Sequence, residues 1–594
     1  MIRTPLRPLA RILDARHRGK NPDEIEQENL HKRHEVIRDQ TRARTESRLL
    51  LLGVMFVLAF GSIVLKMGSI AISSPEEPTF ANARANPIVS QRADIVDREG
   101  RILATNIDTF SVYAHPHEMI DPETAVSALK GIFPELNAER LLADFTGDRK
   151  FVWVRRQISP EQMQAVHDIG EPGLLFGPRE MRLYPNGPVA SHILGGAGYG
   201  REGVSSAEII GVAGIERQFD ELLRDPANGG EPLKLSLNLT VQAAAETVLA
   251  GGMTLMNAKG AAAILMEVHT GEIVAMVSLP DFDPNDRPLV LLEGDQSDSP
   301  LFNRAVQGVY ELGSTFKVFA VAQAIELGLV NAQTMIATAP AIRKGGFTIN
   351  DFHSYGAQNS VTDVLVKSSN IGTAHIAEMI GAERQKAFLK DLGILDFSPA
   401  ELVETRSGKP QFPARWTDLS TMTISYGHGV AASPLHLAAA YATLANGGLR
   451  VEPTLLHDED NRPGVRVLSK TVADQAVDML RQVVRRGTAS FGEVAGYEVG
   501  GKTGTADKVR PNGGYYEDKV IATFASVFPA SDPQYVLVVT LDEPVDTTGA
   551  EPRRTAGWTA VPVTAEMIRR IAPLLGLRPR IEMPELSGVV LTAN

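Results

Sequence analysis

The stretch Tyr310–Phe319, YELGSTFKVF, sets one serine and one lysine three residues apart, just after a glycine. Its continuation, VFAVAQAIELG, is almost wholly apolar and stops at another glycine. The pattern predicts a buried helix with a lysine one turn beyond a serine. Positions three apart share a helix face, so the Ser314 hydroxyl and the Lys317 amine can meet. A serine hydroxyl is a weak nucleophile and needs a base. Lysine serves only when neutral, which calls for a pKa drop of about three units from ~10.4, or roughly 4 kcal/mol. Burial and a second nearby cation both push that way. At the helix start, unpaired backbone N–H groups also point outward, which suits an oxyanion.

The spacing alone is weak. Ser127 and Lys130 repeat it in VSALK, which reads as an ordinary amphipathic helix, and Ser236–Asn238 is an S-x-N in a strand-like stretch with no role assigned. What distinguishes Ser314 is ordered company. Ser368-Ser369-Asn370 comes later in the chain, and Lys502-Thr503-Gly504-Thr505 lies farther on in a glycine-rich strand pattern. Glycines there let a substrate backbone approach closely.

These three elements resemble the signature of penicillin-binding serine enzymes. RADIVDREGRILA, RLYPNGPVASHILGGAG and GIERQFDELL are similar to the N-terminal module of class B penicillin-binding proteins. NRAVQGVYELGSTFK, GHGVAASPLHLAAAYATLANGG and GKTGTADK are similar to the transpeptidase module. The single long apolar segment near the N-terminus and the overall length are most similar to the division-specific, FtsI-type members. Leu312, where many relatives carry proline, and His428, often glutamine, depart from the pattern; His428 is read as a structural or rim residue.

The resemblance implies a peptidoglycan D,D-transpeptidase that works through an acyl-enzyme at Ser314 and is acylated by β-lactams. Lys317 takes the serine proton, and Ser368 relays a proton toward the leaving D-Ala amine. Asn370 holds Lys317 and contacts the substrate amide. Lys502 keeps the field positive, while Thr503 and Thr505, on either side of Gly504, receive the terminal carboxylate. The N–H groups of Ser314 and Thr505 form the oxyanion hole. No metal or cofactor is implied. The implied partners are stem peptides, a SEDS-family membrane glycosyltransferase and other division proteins. A D,D-carboxypeptidase would share this constellation. A β-lactam-sensing receptor would normally carry several membrane spans and an effector domain, and a class A β-lactamase would carry an E-x-x-L-N segment after Asn370 that this sequence lacks.

Composition fits an ordinary globular class: 594 residues, 43% hydrophobic and 22% charged. A net charge of -12 does not favour a nucleic-acid partner. With no cysteine, thiol chemistry, Cys-ligated zinc and disulfides are excluded. LLLLGVMFVLAFGSIVL runs from Leu49 to Leu65 without a charge, and MGSIAI extends it past Lys66. About 20 apolar residues span a bilayer. Residues before this stretch carry more Lys and Arg than Asp and Glu, and Arg42, Arg44 and Arg48 sit at its edge. The positive-inside bias puts the N-terminus in the cytoplasm. With the resemblance, this implies a single-pass inner-membrane protein with a periplasmic catalytic domain at the septum.

The expected organisation is a cytoplasmic tail (1–48), a transmembrane anchor (49–72), an N-terminal pedestal (73–238), a transpeptidase domain (239–580) and a C-terminal tail (581–594). The fold class is α+β. Asp97-Arg98-Glu99-Gly100 predicts one hairpin and His269-Thr270-Gly271 another. A helical middle, including TMIATAPAI and VTDVLVKSSNIGTAHIAEMI, separates two strands from three more. That order suggests one antiparallel sheet with helices packed on it; the resemblance implies five strands, helices on both faces and a helical subdomain.

Overall fold

The computed structural model describes residues 92–199, 209–458, 463–510 and 513–580, together with 52–64 and scattered positions between 11 and 35. Residues 52–64 form a helix whose apolar side chains, Phe56 and Val57 among them, are exposed. The rest of the expected span 49–72 and the expected tail 581–594 lie outside the described residues. Among the described residues no helix is long and apolar enough to cross a membrane.

The described residues fall into two compact units. Residues 113–154 and 164–175, with 52–64 and the described positions before them, belong to one. Its helices Pro122–Ile132 and Ala138–Thr146 start at side-chain caps, with Asp121 accepting from the Thr124 N–H (3.1 Å) and Asn137 from the Arg140 N–H (2.9 Å). Leu129, Phe133, Leu141 and Phe145 form its buried core. Ser127 and Lys130 lie on the first helix, and the Lys130 ammonium donates to the carbonyls of Pro134 and Leu136. The second S-x-x-K is thus an ordinary helix with a lysine at its C-terminal end.

Residues 92–112, 155–163 and 176–580 form the other unit. Its elements that position the site are α1 (Leu239–Leu255), β1 (Gly260–Glu267), β2 (Ile273–Leu279), α2 (Lys317–Glu326), α3 (Asn370–Ile380), α4 (Pro434–Ala445), α5 (Lys470–Arg486), β3 (Gly500–Val509), β4 (Tyr515–Phe528), β5 (Tyr535–Asp542) and α6 (Ala560–Leu574). The strands form one sheet in the order β3-β4-β5-β1-β2, antiparallel throughout. β2 and β5 are buried at every position, which requires cover on both faces. α1 and α6 supply one cover; α4 packs on β1, β4 and β5, and α5 on β3. The expected hairpin at His269–Gly271 joins β1 to β2, with Gly271 at a φ of 78°.

Two stretches differ from the helical expectation. Met335–Ala337 in TMIATAPAI is a strand paired with Gln358–Ser360. Ile336 and Thr338 are β-branched, and Pro340 withholds an N–H and disfavours helix at the residue before it. VTDVLVKSSNIGTAHIAEMI is two helices, Val361–Val366 and α3. They part at Ser368, which takes a left-handed φ of 62°.

The three N-terminal stretches RADIVDREGRILA, RLYPNGPVASHILGGAG and GIERQFDELL meet at one buried carboxylate. Arg92 Nε donates to Glu216 Oε2 (2.7 Å), Arg182 Nε to Glu216 Oε1 (2.7 Å), and the Tyr184 hydroxyl to Oε1 (3.2 Å). The hairpin at Asp97–Gly100 forms as expected, with Ile95 opposite Ala104 and Gly100 at a φ of 82°. It also binds the sheet domain: Asp97 accepts from the Leu239 N–H at the start of α1 (3.0 Å), and Arg98 donates to the Ser236 carbonyl (2.8 Å) and pairs with Glu272. Ser236, the hydroxyl without an assigned role, donates to the Ile273 carbonyl (2.8 Å) and is structural.

Glu216→Ala leaves the buried Arg182 guanidinium without a carboxylate and Arg92 with Asp220 alone. The cost of breaking such a network from one side is about 3–5 kcal/mol. Thermal unfolding followed by circular dichroism should show a clearly lowered Tm; an unchanged Tm would remove this network from the stability argument.

Candidate active site

The nucleophile position is set by backbone contact. Ser314 lies in a tight 3-10 turn, Gly313–Phe316, and Lys317 opens α2 behind it. The sequence pattern puts both on one helix; the turn shifts the serine off the helix proper and leaves it half-buried. Gly313 has a φ of 56°, and a Cβ there would come 2.8 Å from the Thr505 carbonyl oxygen. A Cβ on Gly504 would come 2.1 Å from the Leu312 carbonyl oxygen, and one on Gly427 1.9 Å from that of Gly313. Three backbone layers, at 427, 312–313 and 504–505, therefore touch where any side chain would separate them. The Tyr441 hydroxyl, buried on α4, donates to the Thr315 carbonyl (2.8 Å) and pins the turn from behind.

Two lysines converge on a third residue. Lys317 Nζ, buried on α2, donates to the Ser368 carbonyl (2.5 Å) and to Ser368 Oγ (3.0 Å). Lys502 Nζ, buried on β3, donates to the same Ser368 Oγ (3.0 Å) and to the Thr503 carbonyl (3.1 Å). The Ser368 oxygen accepts from both, so its own proton is free to point elsewhere. The bridge depends on the left-handed turn at Ser368, a conformation that costs a non-glycine residue of order 1 kcal/mol or more.

That turn is held from the far side by a residue that sequence reasoning misses. Asp351 Oδ1 accepts from the N–H groups of Asn370 (2.5 Å) and Ile371 (3.0 Å), and Oδ2 accepts from the Ser369 hydroxyl (2.6 Å). Ser369 Oγ in turn accepts from the Gly372 N–H (2.9 Å) and caps α3. Asp351 sits in NDFHSYG, where an isolated aspartate reads as loop chemistry and nothing points to Ser369. The expectation that Asn370 holds Lys317 is corrected here: the Asn370 amide donates to the Asn350 carbonyl (3.0 Å), and Ser368 holds Lys317.

Electrostatics follow from burial. Lys317 is pushed well below the ordinary lysine range by burial, then by the nearby Lys502 cation, with Asp351 opposing. Burial pushes Lys502 down to about 7. Burial thus weakens the hold of Lys502 on its charge, and a bound carboxylate would favour the charged form. Thr503 Oγ1 lies 2.7 Å from Thr488 Oγ1. Thr488, just past α5, is another missed residue; RGTASFG carries no signal for it. Thr505 Oγ1 accepts from the Ala556 N–H (3.0 Å), which leaves its proton to donate into the cleft. The structure thus brings Ser314, Lys317, Ser368, Lys502, Thr503, Gly504 and Thr505 together, with Asn370 at the rim. A nucleophile, a buried amine of lowered pKa, a bridging hydroxyl and an anion-receiving strand suit acyl transfer through a serine ester.

Comparison with known proteins agrees. Residues 261–562 match the penicillin binding protein transpeptidase domain, and 87–235 match the penicillin-binding protein dimerisation domain. The chain is 34% identical over 574 residues to the probable peptidoglycan D,D-transpeptidase FtsI of Caulobacter vibrioides, covering 93% of this chain and 94% of that protein. It is 28% identical to the peptidoglycan D,D-transpeptidase FtsI of Escherichia coli K12, covering 84% of this chain and 87% of that one. In fold it is similar to penicillin binding protein 3 of Mycobacterium tuberculosis complexed with ampicillin, with a TM-score of 0.63, 23% identity, and coverage of 84% of this chain and 97% of that one.

A lysine whose folded pKa is depressed binds fewer protons than its unfolded counterpart between the two pKa values. Stability therefore rises with pH across that window, and the burial cost is largest at and below the folded value. For Lys502 the window runs from about 7 upward. Lys502→Met should therefore raise the Tm most at or below pH 7, and the gain over wild type should shrink by pH 9. A gain independent of pH would show that Lys502 does not titrate in this range.

Proposed function

The chain belongs to the class B penicillin-binding proteins, and from that membership we propose that it is a peptidoglycan D,D-transpeptidase acting through a Ser314 acyl-enzyme. The observation that carries the assignment is the convergence of Lys317 and Lys502 on the Ser368 hydroxyl behind Ser314. Ser314 Oγ attacks the carbonyl of the D-Ala-D-Ala bond, and its proton passes to neutral Lys317. The tetrahedral oxyanion is received by the N–H groups of Ser314 and Thr505, which the glycine contacts bring to one place. The C–N bond breaks as the leaving amine takes a proton through Ser368, whose oxygen already accepts from Lys317. Lys502, Thr503 and Thr505 take the donor's terminal carboxylate. An amine of a second stem then attacks the ester, the new C–N bond replaces the C–Oγ bond, and Ser314 regains a proton. β-Lactams acylate the same oxygen.

We place this chemistry outside the cytoplasmic membrane. The uncharged stretch from Leu49 and the basic residues before it support a single inner-membrane anchor with a cytoplasmic N-terminus. The exposed apolar side chains of 52–64 support the same reading. The similarity to FtsI proteins supports septal duty beside a SEDS-family glycosyltransferase, which the N-terminal module would contact along with other division proteins.

Fluorescent penicillin should label the wild type and Ser127→Ala but not Ser314→Ala; labelling of Ser314→Ala would overturn the site. Lys317→Met should lower the acylation rate by about 10²-fold or more, as loss of a general base does, without a fall in Tm. With a thioester donor and a D-amino acid acceptor, the wild type should give an exchange product. Hydrolysis alone would turn the reading to a D,D-carboxypeptidase.

A further inference from the structure

Three residues before Ser314 stands a carboxylate that the mechanism does not use. Glu311 is 9% exposed and accepts from the Gly429 N–H (2.7 Å) and, through both oxygens, from the Tyr515 hydroxyl (3.2 and 3.1 Å). Both donors are neutral, a backbone amide and a phenol. A buried charge between neutral donors is costly, and its retention needs a reason.

Its surroundings are aromatic. Tyr515 is 44% exposed at the start of β4. Tyr426 and His428 lie in the turn that Glu311 holds through Gly429, with rings 5.3 Å apart, and His428 Nδ1 is buried without a hydrogen-bond partner. The phenols of Tyr426 and Tyr515 are both raised to about 12, by burial first and then by the Glu311 charge, so both rings lie in its field. Asp507 adds negative charge at Tyr515. The nearby cations Arg510 and Lys519 sit over Tyr516 instead. The cluster adjoins the nucleophile, since Gly427 in the same turn presses on the Gly313 carbonyl.

A carboxylate framed by aromatic rings selects a cation, through charge pairing and the negative ring faces. It repels the donor peptide, whose terminal carboxylate goes to Lys502, Thr503 and Thr505. The other reactant of a transpeptidation is an amine, which arrives protonated at neutral pH. We propose that Glu311, with Tyr426, His428 and Tyr515, forms the subsite that receives the ammonium group of the acyl-acceptor peptide beside the acylated Ser314. The proposal rests on the transpeptidase reading and names what that reading leaves open, how an amine is gathered in preference to water.

The test uses the full-length protein in detergent, a thioester donor, and two acceptors, D-alanine and methanol. The acyl-enzyme partitions between acceptor and water, and the partition ratio is measured for each acceptor. Glu311→Gln keeps an oxygen acceptor for Gly429 and Tyr515 but removes the charge. It should lower the D-alanine-to-water partition about tenfold and move the methanol-to-water partition by less than twofold, because methanol carries no charge. A D-alanine partition within twofold of wild type, or equal losses for both acceptors, would overturn the subsite. Should Glu311→Gln fail to take up fluorescent penicillin, Tyr515→Leu, which keeps the carboxylate, is read instead: about a threefold selective loss for D-alanine is expected, and no selective loss overturns the proposal. If the wild type itself gives only hydrolysis with both acceptors, the transpeptidase reading falls, a result distinct from loss of selectivity in the variants.

Discussion

Everything at this centre depends on placing two lysine amino groups in one buried pocket, 3.0 Å from the same serine oxygen. Burying one ammonium charge is unfavourable, and burying two beside each other compounds the cost through like-charge repulsion. The fold accepts that cost because it yields an amine that gives up its proton more readily than a solvent-exposed lysine does. The two effects reinforce each other: burial weakens the hold on the proton, and the neighbouring cation weakens it further. Asp351 limits the depression from the opposite side.

An unfavourable pocket persists only if the surrounding structure over-determines it. α2 is buried from Lys317 to Ala324 and runs into the sheet domain core. β3 is fixed along β4 from Gly500 to Val509. The left-handed Ser368 is followed by a capped helix whose first turn Asp351 holds. Each constraint is satisfied by ordinary hydrogen bonds and apolar burial some distance from the chemistry. The strain is therefore local while its support is distributed, and removal of a charge from the pocket relieves strain where removal of a support does not.

Legibility in the sequence divides along the same line. β1, β2, β5 and the second half of β4 (Val520–Phe528) are largely apolar runs between turn signals, and the five-stranded sheet follows from their order together with the family resemblance. Ser314, Lys317, Ser368 and Lys502 are legible because their chemistry leaves spaced residue types in the chain. Asp351 and Thr488 are not, because each acts on a partner distant in sequence through one hydrogen bond that either residue type makes in countless loops. The strand at Met335–Ala337 reads as helix because a short apolar run has no period long enough to separate the two; Pro340 is the signal against a helix. The assignment of Asn370 to Lys317 rests on the resemblance alone, and the left-handed turn at Ser368, invisible in a sequence, gives that hold to the earlier serine instead.

The same turn explains why the S-x-N element tolerates no simple helical reading. Had Val361–Ile380 run as one helix, Ser368 would present its hydroxyl without its carbonyl, since helical carbonyls are engaged four residues on. Breaking the helix there frees the Ser368 carbonyl to receive Lys317 at 2.5 Å while the hydroxyl receives both lysines. One residue thus holds Lys317 with two acceptors, and Lys502 with one of the same two. A proton arriving at Lys317 is one hydrogen bond from Ser368 Oγ, and Ser368 Oγ is one hydrogen bond from Lys502. The helix break is therefore what lets one serine hold both lysines, and the energy of its positive φ is the cost of that arrangement.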